Sequence, residues 1–166
     1  MINSSLFSSV SAEHNTPPAV WAAAVACLGR VDLDPCSPGP GLCPVVADHY
    51  YTIQDNGLAQ PWVGRIYLNP PYGRQIGAWV KKLVDSYRAL TVTAAVALLP
   101  ARTDTQWWQL LRDFPVCLVE GRLKFGDAAN SAPFPSAIFY LGPDVWSFGS
   151  AFQPLGDVWV RIGGGL

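Results

Sequence analysis

The tetrapeptide Asn69-Pro70-Pro71-Tyr72 follows directly on Arg65–Leu68, a short apolar run that reads as a β-strand. Two consecutive prolines fix φ and remove two backbone donors, so the turn presents its carbonyls with little conformational freedom. The Asn69 side-chain oxygen beside the Pro70 carbonyl makes a pair of acceptors suited to one amino group. The flat ring of Tyr72 can stack on the planar base that carries it. In such an amine the nitrogen lone pair is delocalised into the ring. Two acceptors holding its hydrogens favour the geometry in which the nitrogen can attack an electrophile, as methylation of an exocyclic amine requires. A Pro-Pro string alone also makes a stiff strand-to-helix turn, so the surroundings decide.

Those surroundings supply further candidates. Asp34 ends the short strand Val31–Asp34, a position from which a carboxylate commonly accepts from a ribose or an amine. Cys36 is small enough to line the turn that follows. Arg102 follows the apolar run Val92–Leu99, close to where Asn69 should emerge, and suits a phosphate or base-edge contact. Arg122 and Lys124 alternate with Leu123 and Phe125, as on a strand with one face outward. Arg74, Lys81, Lys82 and Arg112 complete the nearby cations, and Lys81 and Lys82 read as solvated surface charges. Trp107 and Trp108 are neighbours on a helix and cannot point the same way. One belongs in the core, and the other, Trp108, is a candidate for facing substrate or partner.

Alternating helical and strand patterns position these residues. A first helix should open at Thr16 as N-cap, with Pro17 and Pro18 where a missing N–H does no harm, and end at Gly29. Ile76, Trp79, Val80, Leu83, Val84 and Tyr87 recur at helical spacing and mark a second. A third should start at Thr103, with Gln106 completing a capping box, and carry Trp107, Trp108, Leu111 and Phe114. Val116–Glu120, Ala137–Leu141 and Val158–Ile162 add strands to the three already named, the last of them near an edge. Val92–Leu99 is apolar throughout, as befits a strand covered on both faces. The fold class is α/β, and the chemistry sits past the carboxyl ends of the first three strands, where open sheets place ligands.

The chain has 166 residues and half of them are hydrophobic, which fits one domain with a full core. We place that domain at 13–162, with flexible ends at 1–12 and 163–166. A formal charge of −1 excludes binding of polyanions by bulk charge alone. The amino terminus has no basic, long apolar leader, and no run is long enough to span a bilayer, so a cytoplasmic location without membrane association is expected. Cys27, Cys36, Cys43 and Cys117 form no CxxC pair and read as free thiols. The spacing of Cys36, Cys43 and His49 matches none of the usual zinc-ligand pairs, and no metal is expected.

An ordered series of segments resembles the phage-type DNA N-6-adenine methyltransferases, which take the methyl group from S-adenosylmethionine. The series begins with Ser11 through Thr16-Pro17, then Leu33-Asp34-Pro35-Cys36, then Tyr51-Thr52 through Asp55-Asn56-Gly57-Leu58 to Trp62. It continues with Asn69-Pro70-Pro71-Tyr72-Gly73 and with Leu98 through Thr105 and Trp107-Trp108. Gly121 through Phe125 and Ala132 through Ala137 close it. The resemblance covers roughly residues 11–141 and implies a Rossmann-like methyltransferase sheet with helices on both faces. Only 30 positions separate Pro35 from Arg65 inclusive of the latter, too few for two helix–strand units, so the middle of the sheet should be abbreviated. Ser37-Pro38-Gly39-Pro40-Gly41 has glycines where such sheets carry a Gly-rich turn, but prolines interrupt it.

Carried over to matching positions, the resemblance implies that Thr16 and Pro17 help hold the methionine end of the cofactor and that the Asp34-Pro35-Cys36 turn faces it. Asp48 would bind the ribose hydroxyls and Asp55 the cofactor's adenine amine, with Asn69 also at the cofactor. Asp48 beside His49 reads equally as solvated loop, and Asp55 before Asn56-Gly57 as a turn cap. Asn69, Pro70, Pro71 and Tyr72 would hold the target amine and base, with Phe125 or Phe134 on the base's other face. DNA is the implied partner, with the target adenine flipped out of the stack. At this length no separate recognition domain is expected. Sequence specificity should therefore be loose, very short, or supplied by a partner or homo-oligomer. Two alternatives stay open: an RNA or protein-glutamine substrate for the same tetrapeptide, or a degenerate, non-catalytic interaction domain.

Overall fold

The computed structural model describes residues 15–126 and 128–162. The expected flexible ends, 1–12 and 163–166, lie outside the described residues. In chain order the elements are α1 (Pro18–Leu28), β1 (Leu33–Asp34), β2 (His49–Tyr50), β3 (Gly64–Leu68), α2 (Ile76–Arg88) and β4 (Val92–Pro100). They continue with α3 (Gln106–Gln109), β5 (Val116–Val119), β6 (Ser136–Leu141), α4 (Val145–Phe152) and β7 (Gly156–Trp159).

The seven strands form one sheet in the order β2-β1-β3-β4-β6-β5-β7. β1 runs parallel to β2 and β3, and β3 parallel to β4. β6 is antiparallel to both β4 and β5, and β7 is antiparallel to β5. β5 therefore points the same way as β4. Asp34, Tyr50, Leu68, Pro100 and Val119 all end at one edge of the sheet, and Cys36, Asp55, Asn69–Tyr72, Arg102 and Arg122–Phe125 follow these ends, whereas Thr16 and Asp48 do not.

Period-two alternation sends each strand's side chains to two cores. Ile66, Leu68, Ala95, Ala97, Leu99, Ala137 and Phe139 pack with Ile76, Trp79, Val80 and Leu83 of α2. Tyr67, Val96, Leu98, Ile138 and Tyr140 pack with Val20 and Ala24 of α1 and Phe148 and Phe152 of α4. Helices thus cover both faces, and each fully buried aliphatic side chain contributes roughly 1.5–3 kcal/mol. β4 is buried from Ala94 to Pro100, as its unbroken apolar run requires. β7 takes the edge position, two residues earlier than expected. Between β1 and β3 only the two-residue β2 is formed and no helix, so the middle of the sheet is abbreviated.

Three expectations are corrected. Thr16 does not cap α1: Pro17 occupies that position, without a side-chain cap bond, and the Thr16 hydroxyl is used elsewhere. The third helix is a single turn, capped by Thr105 rather than Thr103, with the Thr105 hydroxyl accepting from the Trp108 N–H. α4 was not expected. It is capped by the Asp144 side chain, which accepts from the Ser147 N–H, and buries Phe148 and Phe152 one turn apart.

Candidate active site

The residue following β3 continues its alternation, so Asn69 points to the α1 face, as Tyr67 does. There a chain of buried and part-buried polar contacts connects three segments. The Thr16 hydroxyl lies 2.9 Å from the Tyr67 hydroxyl, and Asn69 Nδ2 donates to Thr16 Oγ1 at 3.4 Å. The Cys36 thiol donates to the Asn69 carbonyl at 3.2 Å, and the Cys36 N–H donates to Asp34 Oδ1 at 3.2 Å. Thr16, Asp34, Tyr67 and Asn69 are all buried. The proline that fails to cap α1 is what brings Thr16 into this network, because the chain enters the helix extended at Pro17.

Asn69 Oδ1 is buried and has no hydrogen-bond partner among the described residues. An unpaired buried acceptor costs on the order of 1–3 kcal/mol, so its persistence points to a group received from outside the chain. Beside it, the turn's own backbone bonds run from Gly73 N–H to the Pro71 carbonyl and from Ile76 N–H to the Gly73 carbonyl. They leave the Pro70 carbonyl out. Tyr72 is oriented by its hydroxyl, which donates to the Leu98 carbonyl at 3.2 Å.

Phe125 and Phe134 both meet Tyr72 edge-on, with ring centroids 6.0 and 5.5 Å away and planes at 90° and 72° to it. Their segment is tied down at two points. The Gly126 N–H donates to the Asn15 carbonyl, and the Ala101 N–H to the Pro135 carbonyl. A base held between two parallel rings needs them about 7 Å apart, twice a van der Waals contact. The three rings are thus packed on one another, rather than poised as an open slot. Arg74, Arg102, Arg122 and Lys124 are exposed on the loops leaving this same edge. Arg122 and Lys124 alternate with the inward Leu123 and Phe125, but in irregular chain, since β5 ends at Val119.

On the other side of Cys36 a cleft of about 340 Å3 opens between the turn Pro35–Pro38, the loop 52–58 and the start of α2, with Pro71 in its wall. Leu58 and Trp79 give it apolar surface, while Ser37, Thr52, Asn56 and Gln75 give it neutral polar groups. Trp79 Nε1 is a second buried polar atom without a partner among the described residues. The loop is braced from outside by Lys82, whose ammonium donates to the Leu58 carbonyl at 2.8 Å.

A family model described as DNA N-6-adenine-methyltransferase (Dam) matches residues 3–137, more than three quarters of the chain. The chain belongs to the Dam family. No curated relative matches it. Membership implies DNA adenine N6-methyltransferase activity, with DNA as substrate and S-adenosylmethionine as the family's typical methyl donor. The residues present fit that donor. The cleft has the size and mixed lining of a small-molecule site, and Asp34 adds a buried carboxylate of the right sign for the donor's cationic end.

In this Dam-family chain the fold brings some of the expected residues together and not others. Thr16, Asp34, Cys36 and Asn69 are brought together, and Pro35 and Cys36 also line the cleft. Asp48 is not in this group: it precedes β2 and lies at the amino ends of the strands, in a hollow with Arg30, Asp32 and Gly64. The parallel pairing of β1 and β2 puts Tyr51 and Thr52, rather than Asp48, at the carboxyl edge. Asp55 is exposed, and its Oδ2 accepts from both the N–H and the hydroxyl of Thr52, at 2.7 Å each. It closes a turn and holds the cleft's Thr52 in place. Trp108 packs edge-on against Phe139 at 4.9 Å and Trp107 is buried, so both serve the α2-side core. Tyr67, Trp79 and the cleft's Ser37, Thr52, Asn56 and Gln75 were not among the expected site residues.

Burial pushes the Asp34 carboxyl up to about 7, against the opposing pull of the Cys36 N–H and the Ser37 side chain. An unfolded aspartate ionises near pH 4. Below that pH both states hold the proton, and between about 4 and 7 only the folded state keeps it. Stability from this group is therefore full at low pH and is lost as pH rises through that window. We expect Asp34→Asn, without cofactor, to raise the melting temperature over the native chain most at about pH 8 and little near pH 4. Equal shifts at both pH values would overturn the assignment.

Proposed function

We propose that this chain methylates the exocyclic N6 of an adenine in DNA, with the base turned out of the stack and brought to the carboxyl edge of β3. The observation that carries this reading is the buried, unpartnered Asn69 Oδ1 next to the Pro70 carbonyl. S-adenosylmethionine, when bound, supplies a methyl group already activated on a sulfonium.

The chain's own residues then have defined work. Asn69 Oδ1 and the Pro70 carbonyl accept the two amine hydrogens and set the nitrogen's direction of attack, so positioning and electrostatics carry the catalysis. Tyr72, fixed through Leu98, offers its ring to the base. Phe125 and Phe134 exclude water from the acceptor pair, and base entry displaces one of them from Tyr72. Asp34, ionised by a nearby cation, holds the methionine end together with Thr16, while the 340 Å3 cleft takes the adenosine. The exposed Arg102, Arg122 and Lys124 hold phosphates flanking the target.

The direct test is incubation with methyl-labelled S-adenosylmethionine and unmethylated genomic DNA, followed by digestion to nucleosides. Label in N6-methyldeoxyadenosine is the expected result. Label in methylcytosine would overturn the base assignment, and label transferred to RNA or protein alone would overturn the substrate class. DNA affinity should also fall steeply with salt. Lys124→Ala and Arg102→Ala should each reduce the slope of log affinity against log salt by about one, leaving base preference unchanged. An unaltered slope would remove those residues from the DNA contact.

A further inference from the structure

We propose that Cys36 is a positioning residue for methyl transfer, holding the Asn69–Pro70 peptide so that both acceptors of the amine point correctly. This rests on the function proposed above. The peptide between Asn69 and Pro70 has no N–H, because its nitrogen belongs to a proline. Its remaining hydrogen-bonding atom is the Asn69 carbonyl, and the Cys36 thiol donates to it at 3.2 Å.

Rotation of that peptide plane swings the Asn69 side chain on one side. On the other side it swings Pro70, whose φ is locked by its ring, and with it the Pro70 carbonyl. One contact thus governs the direction of both acceptors. Cys36 is itself held, since its backbone N–H donates to the buried Asp34 carboxylate. It also lines the cleft assigned to the adenosine, so a single residue joins the donor side of the reaction to the acceptor side. Burial, with the charge of Asp34 next, raises the thiol's pKa well above its ordinary value. At neutral pH it therefore keeps the hydrogen it donates.

The test uses the full chain with Cys36→Ala and Cys36→Ser, reading both kinetics and amide hydrogen exchange. For Cys36→Ala we expect kcat to fall about tenfold, with the KM for S-adenosylmethionine changing less than threefold, as a small misplacement of a reacting group predicts. Exchange of the Tyr72 and Gly73 amides should quicken while that of α2 does not. Cys36→Ser, whose hydroxyl can donate to the same carbonyl, should recover most of the loss in both readings. Native kcat in Cys36→Ala overturns the proposal even if the native chain methylates adenine. So does a change confined to the KM for S-adenosylmethionine, which would make Cys36 only a wall of the cleft. If the native chain methylates no adenine, the function proposed above fails. The exchange arm then still decides whether the thiol holds the turn, and unchanged exchange at Tyr72 and Gly73 overturns that too.

Discussion

Asn69→Ala is expected to lower the rate of adenine methylation about 10²- to 10³-fold, the cost of removing one preorganised hydrogen-bonding group from a reacting centre. The same substitution should leave thermal stability intact or raise it. What it deletes from the folded protein is one long bond to Thr16, 3.4 Å, together with a buried acceptor that has no partner. The first is a weak contact, and the second opposes folding. Loss of activity without loss of stability separates a residue kept for chemistry from one kept for packing. Asn69→Asp sharpens the comparison. It retains an oxygen for the amine and loses the donor to Thr16, so its rate should fall between those of the native chain and the alanine variant. Steady-state methylation kinetics beside a melting curve would show both effects. Methylation at the native rate in Asn69→Ala would refute the acceptor-pair mechanism.

Asn69 could be recognised from sequence because its signal is local. Four consecutive residues fix the turn, and the apolar run before them places it at a strand end. The same holds for α2, whose apolar positions keep helical spacing over three turns and are buried accordingly. Tyr67 lacked such a signal. It sits one position from two apolar strand residues and looks like one of them, while its hydroxyl partner, Thr16, is 51 residues away. A long-range polar contact leaves no trace in periodicity.

Asp48 was misplaced for a related reason. β2 comprises His49–Tyr50 alone, too short to show any alternation. Without a strand there, nothing said which end of the sheet Asp48 occupied. Thr16 shows a residue type that satisfies two roles equally well: before two prolines it reads as an N-cap, and only the fold shows its hydroxyl turned to Tyr67 and Asn69. α4 was hidden by Gly149 in its middle, which breaks the pattern that Phe148 and Phe152 would otherwise announce. What the sequence could not supply was contact between distant segments, and the cofactor side of the site is built from such contacts.

Gly57→Ala carries the other large effect, and it tests that cofactor side. A methyl group on Gly57 would stand 1.9 Å from the Pro35 carbonyl oxygen and 3.3 Å from Cη2 of Trp79. The first neighbour is backbone, in the turn that carries Asp34 and Cys36, and cannot swing aside as a side chain could. Relief requires the loop 52–58 to move outward by about an ångström, since non-bonded atoms settle near 3 Å or beyond. That motion is resisted by the Trp62 Nε1 bond to the Gly57 carbonyl, 2.8 Å, and by Lys82 on Leu58. We expect a loss of about 1–3 kcal/mol of stability, the range for an overpacked site, and a drop of at least tenfold in S-adenosylmethionine affinity by calorimetry. Gly149→Ala is the control. The same methyl group there meets nothing within 4 Å, and in a helix interior alanine is favoured over glycine by roughly 0.5–1 kcal/mol. One substitution should therefore destabilise and the other stabilise, from identical chemistry. Because Gly57 touches the cleft and Gly149 does not, only the first should weaken the cofactor. Native affinity in Gly57→Ala would move the adenosine out of the cleft between Pro35, Leu58 and Trp79.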